Sequence, residues 1–237
     1  MKIISLGWGV QSFTMAAMSA LGDLEKVDVA IHADTLHEHR ATYEFARRFT
    51  PWLVERGIRV VTVLNPTGGF WEKCKIGQVH IPAFTLNARG DKGQLRRSCT
   101  HRWKIVPMRR WIRAQSRQSA EQWIGISTDE ALRMKPSDVK YISHWWPLIE
   151  KKMSRSDCAE YLLSHNLEVP PRSSCVFCPF HSTSEWRDIW RHEDDWEEAV
   201  RVDAKLRTLR LPYALFVHPS IKPLDMVDLR SEKERGQ

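Results

Sequence analysis

The sequence has little of what would place the protein in a membrane or in a disulfide-bonded scaffold. Its 237 residues include only 11 glycines, 12 prolines and 5 cysteines. No apolar run approaches the roughly 20 residues that a membrane-spanning helix requires. The first residues lack a secretory pattern, because Gly7 interrupts the apolar residues that follow Lys2. We therefore expect a cytoplasmic globular protein that has no membrane partner.

The cysteines are odd in number, and two of them form a C-x-x-C pair, which argues against a disulfide framework. Cys175 and Cys178 can reach one metal centre from a single turn. Cys99 and Cys158 are the candidate distant ligands. Cys158 falls in the first turn of a predicted capped helix, where partial positive charge favours the thiolate. Cys74 is interpreted as a buried or free thiol.

Acidic residues are outnumbered, with 29 Asp and Glu against 36 Lys and Arg, and the formal net charge is +7. This balance suits a polyanionic partner. Tryptophan is abundant, at 11 residues, and aromatic faces among basic residues can stack on nucleobases. The basic residues that favour a nucleic-acid substrate are Arg96, Arg97, Arg102, Arg109, Arg110 and Arg113.

Hydrophobic periodicity predicts alternating strands and helices. Short apolar strands are predicted over residues 1–5, 27–34, 58–64 and 121–127, with helices from Val10 and over Glu38–Arg56. This alternation predicts an α/β fold with a doubly wound, mostly parallel sheet flanked by helices. Residues 65–100 break the rhythm and are predicted to be a long functional loop. We expect a nucleotide-binding domain over residues 1–150, and a helical, cysteine-bearing C-terminal region over 151–237 packed on it as one unit.

The turn between the first strand and the first helix, Ser5–Ser12, predicts an anion site. Gly7 and Gly9 lack Cβ atoms and can take positive φ, so that backbone N–H groups can close around a phosphate. Ser12 can add a hydroxyl donor from the first helical turn. The alternative interpretation is a tight turn that binds no ligand.

Several separated stretches, in order, resemble the PP-loop ATP pyrophosphatase superfamily, which is Rossmann-like and adenine nucleotide alpha hydrolase-like. The closest likeness is to its phosphoadenosine phosphosulfate reductase-like branch, including proteins encoded in phages and mobile elements. The residues that carry the resemblance are the Ser5–Ser12 loop, Ala33-Asp34-Thr35, Cys99 to Lys104, Gly125-Ile126-Ser127 with Asp129, Glu130 and Arg133, Pro147-Leu148-Ile149, and Cys175 to Cys178.

The resemblance implies that ATP binds at the carboxyl ends of the parallel strands. Asp34 would position Mg²⁺ or ribose, and Lys104 and Arg133 would offset charge on the leaving pyrophosphate. The remaining nucleotide-binding candidates are Ser5, Gly7, Trp8, Gly9, Gln11, Ser12, His32, Ala33, Gly125 and Glu130. Of these, Gly7, Gly9 and Ser12 would hold phosphates, and the backbone around His32 would recognise adenine.

The resemblance also implies an activity. A substrate oxygen would attack the α-phosphorus and become adenylated with release of pyrophosphate, and a sulfur or nitrogen nucleophile would then displace AMP. A 4Fe–4S cluster held by Cys99, Cys158, Cys175 and Cys178 could deliver the sulfur, with a sulfur-donor protein as a further partner. The same four thiolates would suit a tetrahedral zinc site. The acceptor would be tRNA, DNA or a related substrate.

Two departures from the family pattern keep alternatives open. The loop's usual acidic position is occupied by Val10 or Gln11, which allows a nucleotide- and nucleic-acid-binding module that has lost catalysis and keeps a structural metal site. No cysteine follows Cys178, which disfavours a sulfonucleotide reductase coupled to thioredoxin. A domain that is stabilised by a zinc ion and serves only in binding interactions is a further alternative.

Overall fold

The structure is a computed structural model that describes residues 1–64, 79–115, 119–231 and 234–235. The chain forms two compact units, each discontinuous in sequence. The first unit comprises Met1–Asp34, Ala41–Pro66 and Trp103–Ser173, and the second comprises Thr35–Arg40, Thr67–Arg102 and Ser174–Gln237. The domain division at residue 150 stays a prediction.

The elements alternate between strands and helices from β1 to β3. The strands are β1 (Lys2–Ser5), β2 (Val29–Asp34), β3 (Arg59–Leu64), β4 (Phe84–Asn87), β5 (Lys92–Gln94), β6 (Ala120–Trp123), β7 (Ile142–Trp145) and β8 (Tyr213–Phe216). The helices are α1 (Val10–Leu21), α2 (Arg40–Glu55), α3 (Val106–Gln115), α4 (Pro147–Glu150), α5 (Arg155–Ser164), α6 (Thr183–Trp190) and α7 (Glu193–Arg207). A π-helical turn, Thr100–Ile105, precedes α3, and 3₁₀ turns span Thr128–Arg133 and Leu224–Met226.

The first unit contains a five-stranded sheet in the order β3-β2-β1-β6-β7, with every neighbouring pair parallel. Ile4 of β1 stands beside Ala30 on one side and Trp123 on the other. The chain winds outward from β1 in both directions, so the strand order reverses between β1 and β6. The predicted doubly wound α/β fold is confirmed by this topology.

Both faces of this sheet are covered, as the nearly continuous burial of β2 requires. Because successive strand residues point to opposite faces, Ile3 and Ile4 enter different cores. Ile4 packs in a core that includes residues of α1, α2 and α5, whereas Ile3 shares the opposite core with Ile112 of α3. Helix α2 ends at Glu55, and Gly57 follows in the left-handed region at φ 77°, as expected for a glycine beyond a helix C-terminus.

The second unit is built differently. Its sheet is antiparallel, in the order β5-β4-β8, so two strands occupy part of the stretch for which a long loop was predicted. Alternation there is too short to be recognised, because β4 and β5 have only 4 and 3 residues. The C-terminal region is helical over α6 and α7, and the apolar run at Tyr213 forms strand β8.

Asp203 of α7 organises the end of the second unit. Its fully buried carboxylate accepts the backbone N–H groups of Val217 at 3.0 Å and Leu224 at 2.9 Å, and it pairs with Arg207. These contacts tie α7 to the end of β8 and to the following 3₁₀ turn. Among the described residues, no helix is both long and apolar enough to cross a membrane.

Candidate functional site

A cleft of about 590 Å³ opens at the carboxyl edge of the parallel sheet, between the loops that follow β1 and β6. Open α/β sheets place their ligands at this edge where the strand order reverses, because the loops there diverge and leave a crevice. The cleft lies within the first unit and is lined by Ser5, Gly7, Gly9, Gln11, Ser12, Ile124, Gly125, Glu130, Arg133, Arg155, Arg172 and Ser173.

The turn after β1 presents the N-terminus of α1 to this cleft. Ser12 accepts a hydrogen bond from the backbone N–H of Gly7 at 3.1 Å, and its hydroxyl donates to the Gly9 carbonyl at 3.1 Å. Gly9 is the N-cap and has no side chain to cap the helix, and the first turn carries no acidic residue. The first N–H groups of α1 therefore lack intrahelical acceptors and carry partial positive charge, which suits an anion.

The backbone of this turn differs from the expectation. Trp8, and not a glycine, takes the left-handed conformation, at φ 57°, whereas Gly9 is extended at φ −94°. This conformation turns the Trp8 ring into the apolar core, where it is 2% exposed and packs against Phe13 and Phe45 at centroid distances of 6.2 and 6.3 Å. Trp8 was predicted to contact the nucleotide, but its ring anchors the loop on the core and does not line the cleft.

Gly125 explains how the two loops come together. A Cβ atom at this position would lie 2.9 Å from the backbone nitrogen of Ser12 and 3.2 Å from the carbonyl carbon of Gln11. Real Cβ contacts are essentially never shorter than 3.0 Å. The loop after β6 can therefore approach the first turn of α1 only because residue 125 has no side chain.

A polar network crosses the cleft and is centred on Gln11. Its side-chain amide donates to Ser127 at 3.3 Å and to Glu130 at 3.4 Å, while its amide oxygen accepts from Arg155 at 3.2 Å. Glu130 also pairs with Arg133 at 2.7 Å. The Gln11 side chain thus holds both a carboxylate and a guanidinium in place.

Asp129 fixes the far side of this network. Its carboxylate accepts the backbone N–H of Arg155 at 2.9 Å. A hydrogen bond from Ser127, together with this N–H and the nearby Arg155 charge, holds the pKa of Asp129 below its ordinary value. Asp129 therefore stays ionised at neutral pH and tethers the N-terminus of α5, which carries Arg155 into the cleft.

Two of the three arginines in the cleft were not predicted from the sequence. Arg155 is the first residue of α5, directly after the N-cap Ser154, and Arg172 follows the Pro170-Pro171 pair. The only signal in the sequence was indirect. A basic residue beside a capping box or a double proline is held in place by rigid backbone, but nothing local shows that the backbone faces β1.

Eight of the predicted nucleotide-binding and catalytic residues line the cleft: Ser5, Gly7, Gly9, Gln11, Ser12, Gly125, Glu130 and Arg133. The others do not line it. His32 is buried in β2 with Nδ1 3.1 Å from the Leu6 carbonyl, and Ala33 is buried beside it. Asp34 ends β2 and accepts the Tyr43 hydroxyl at 2.7 Å, and Lys104 lies in the π-helical turn. Their roles stay predictions.

Cys158 is a poor metal ligand in this structure. Its side chain is fully buried in the core shared by α1 and α5. Burial raises the pKa of the Cys158 thiol to about 12, although a hydrogen bond involving Thr14 acts in the opposite direction. The expectation that the first helical turn would favour the thiolate is wrong, because desolvation outweighs the partial charge of the helix terminus.

The remaining described cysteines lie in the second unit. The Cys178 N–H donates to the Cys175 carbonyl at 3.0 Å, and the Cys175 sulfur lies 3.2 Å from the Thr35 hydroxyl. Within the described ranges, no three or more His, Cys, Asp or Glu side chains are gathered to bind a metal ion. The 4Fe–4S cluster and the tetrahedral zinc site therefore stay predictions. Cys74 lies outside the described residues.

The strand order and the cleft at its reversal point define a doubly wound α/β fold. The structure is similar to a crystal structure of phosphoadenylyl-sulfate (PAPS) reductase from Candida auris in complex with phosphate, with a TM-score of 0.48 and 15% sequence identity over 71% of this chain and 74% of that chain. No family model matches this chain, and no curated protein matches it.

Proposed function

We propose that the cleft binds an adenine nucleotide, with ATP as the substrate, and that the protein is an enzyme that transfers the adenylyl group to an acceptor. The observation that carries this proposal is the charge of the cleft. The residues that line it include three arginines, at positions 133, 155 and 172, and one carboxylate, that of Glu130, and they lie beside the N-terminus of α1. Such a site suits a ligand with several adjacent negative charges, such as a polyphosphate.

The size and position of the cleft support a nucleotide rather than a free inorganic anion. A volume of about 590 Å³ lies in the usual range of small-molecule sites, about 300 to 1,000 Å³. Adenine is proposed because Ala33-Asp34-Thr35, at the end of β2, resembles the segment beside which the family binds adenosine. β2 and β1 end at the same edge of the sheet.

In the proposed reaction an acceptor oxygen attacks the α-phosphorus. The bond from that phosphorus to the bridging oxygen breaks, and pyrophosphate leaves with the electron pair. The guanidinium groups of Arg133 and Arg155 would stabilise the charge that develops on the leaving group. Mg²⁺ would enter as part of the ATP substrate and neutralise its phosphates. A sulfur nucleophile from a donor protein could then displace AMP, but the described cysteines support no cluster for this step.

The experiment is to titrate the protein with ATP by calorimetry and to assay release of AMP and pyrophosphate with candidate nucleic-acid acceptors. Arg155→Ala should weaken ATP binding about 10- to 100-fold, the value of a hydrogen bond to a charged group. Arg47→Gln, an exposed change on α2, is the matched control and should bind as the original chain does. Absence of ATP binding in the original chain would contradict the proposal.

A second function is favoured by one feature of the cleft. The resemblance places Val10 or Gln11 at the family's acidic position, and neither is acidic; the Gln11 amide is engaged by Glu130 and Arg155. A cleft that binds nucleotide without cleaving it would be a nucleotide- and nucleic-acid-binding module. ATP binding without release of pyrophosphate, whichever acceptor is added, would favour this second function. Tighter binding of a sulfonucleotide than of ATP would instead favour a sulfonucleotide enzyme.

A further inference from the structure

A second cavity, of about 500 Å³, runs along helix α3 in the first unit. It is lined by Val106, Arg109, Arg110, Arg113, Ala114 and Tyr141, and we call these six residues the α3 groove. Its arginines belong to the basic set noted in the sequence, but none of them lines the nucleotide cleft.

Helix α3 carries a positive charge that is compensated only at Arg109 among its described contacts. Its sequence, VPMRRWIRAQ, contains three arginines and no acidic residue. Arg109 and Arg113 are four residues apart on one face, an arrangement in which like charges destabilise a helix by a few tenths of a kcal/mol. Within the part of the chain that the structure describes, only Arg109 of these arginines has an acidic partner, Asp138.

Arg113 is held in place by an aromatic ring. Its guanidinium carbon lies 5.3 Å from the centroid of Tyr141, within the range of a cation–π contact. This contact restricts the side chain without using its N–H groups. Arg110, one turn away, is exposed. Both guanidinium groups can therefore donate to an anion at the surface.

The α3 groove lies away from the nucleotide cleft. Helix α3 connects parallel strands, so it runs antiparallel to them, and Arg113 in its last turn lies toward the amino edge of the sheet. Tyr141 immediately precedes β7 and lies at the same edge. The nucleotide cleft, in contrast, opens at the carboxyl edge.

We propose that the α3 groove binds the phosphodiester backbone of a nucleic acid. Arg110 and Arg113, the two exposed arginines of the helix, are about 4.5 Å apart along the helix axis, and a nucleic-acid strand carries one charge per roughly 3.4 Å of its rise. Two exposed arginines at this spacing can each contact a phosphate of the same strand. The inference rests on the proposed function only in naming the nucleic-acid acceptor, because the cleft and the α3 groove have no lining residue in common.

The test compares the original chain with Arg110→Gln/Arg113→Gln, using labelled single-stranded DNA, single-stranded RNA and duplex DNA by fluorescence anisotropy at several salt concentrations. Each lost phosphate contact should lower the steepness of the plot of log affinity against log salt by about 0.7 for a single strand and about 0.9 for B-DNA. Between 50 and 200 mM salt, the original chain should therefore lose about sevenfold more affinity for a single strand than the double variant.

Two matched variants separate the site from general charge. Arg47→Gln/Lys151→Gln removes two exposed cations from other elements of the first unit and should keep the original salt dependence. Arg110→Lys/Arg113→Lys keeps both charges and should also keep it, which guards against a loss caused by misfolding. ATP affinity, measured on each protein, should be the same in all four chains.

The outcomes are decisive in both directions. A flatter salt dependence in the glutamine variant alone, with ATP binding intact, supports the α3 groove. Equal salt dependence in the original chain and the glutamine variant overturns it, and so does the absence of salt-dependent nucleic-acid binding by the original chain. If the original chain does not bind ATP, the proposed function is contradicted, and the nucleic-acid measurement still tests the α3 groove separately.

Discussion

Gly125→Ala should damage the candidate site through the backbone. The added Cβ would meet the Ser12 nitrogen at 2.9 Å, and ordinary van der Waals contact begins at 3.4 Å, so the two loops must separate by about 0.5 Å. The neighbouring atoms belong to the backbone of Gln11 and Ser12 and cannot rotate away. Overpacking of this kind costs about 1 to 3 kcal/mol of unfolding free energy.

The same displacement should weaken ligand binding. The N–H groups of α1 would move away from the loop that carries Gly125. We therefore expect ATP affinity to fall about tenfold, which corresponds to about 1.4 kcal/mol of binding free energy. Urea denaturation and calorimetry measure the two effects. Gly7→Ala is the control for stability, because its Cβ would meet only the Ser12 hydroxyl, at 3.8 Å. If Gly125→Ala unfolds and binds ATP as the original chain does, the close approach has no energetic role.

Further predictions concern other parts of the molecule. Arg155→Ala should change the unfolding free energy by less than about 0.5 kcal/mol, as surface substitutions do, although it breaks the contact with Gln11. A larger fall in unfolding free energy, measured by urea denaturation, would show that the arginine has a structural role. Because burial raises the pKa of the Cys158 thiol to about 12, almost no thiolate exists at pH 8, and iodoacetamide should modify this residue only after unfolding. Mass spectrometry that finds Cys158 modified in the folded chain as fast as the other cysteines would refute its burial. Asp203→Asn should cost about 1 to 3 kcal/mol, because the buried carboxylate accepts two backbone N–H groups, whereas the exposed Asp228→Asn should cost far less.

The parallel sheet could be predicted because its signals are local. A buried parallel strand is a short run of apolar residues, and each of the first three runs stands beside a helical pattern that returns the chain to the same edge. The second unit could not be predicted in the same way. Strands β4 and β5 are too short to show alternation, and β4 pairs with β8, more than a hundred residues later in the chain.

The metal hypothesis shows a second limit of reasoning from short segments. C-x-x-C spacing and a helix N-terminus are properties of short segments, and they led to four cysteine ligands. Burial is a property of the whole fold, and desolvation in the core of the first unit makes Cys158 a neutral thiol. Among the described residues, the other cysteines are not gathered into a metal site either.

The sequence by itself determined the order of strands and helices from β1 to β3, the turn at Ser5–Ser12 and the excess of positive charge, since each depends on neighbouring residues or on composition. Only the tertiary structure decided that Trp8 is a core residue, that Gly125 lies against the first turn of α1, and that Arg155 and Arg172 both line the cleft. These facts depend on which distant segments pack together. The packing of distant segments is determined by the burial of whole faces of the sheet, and it cannot be read from any short segment.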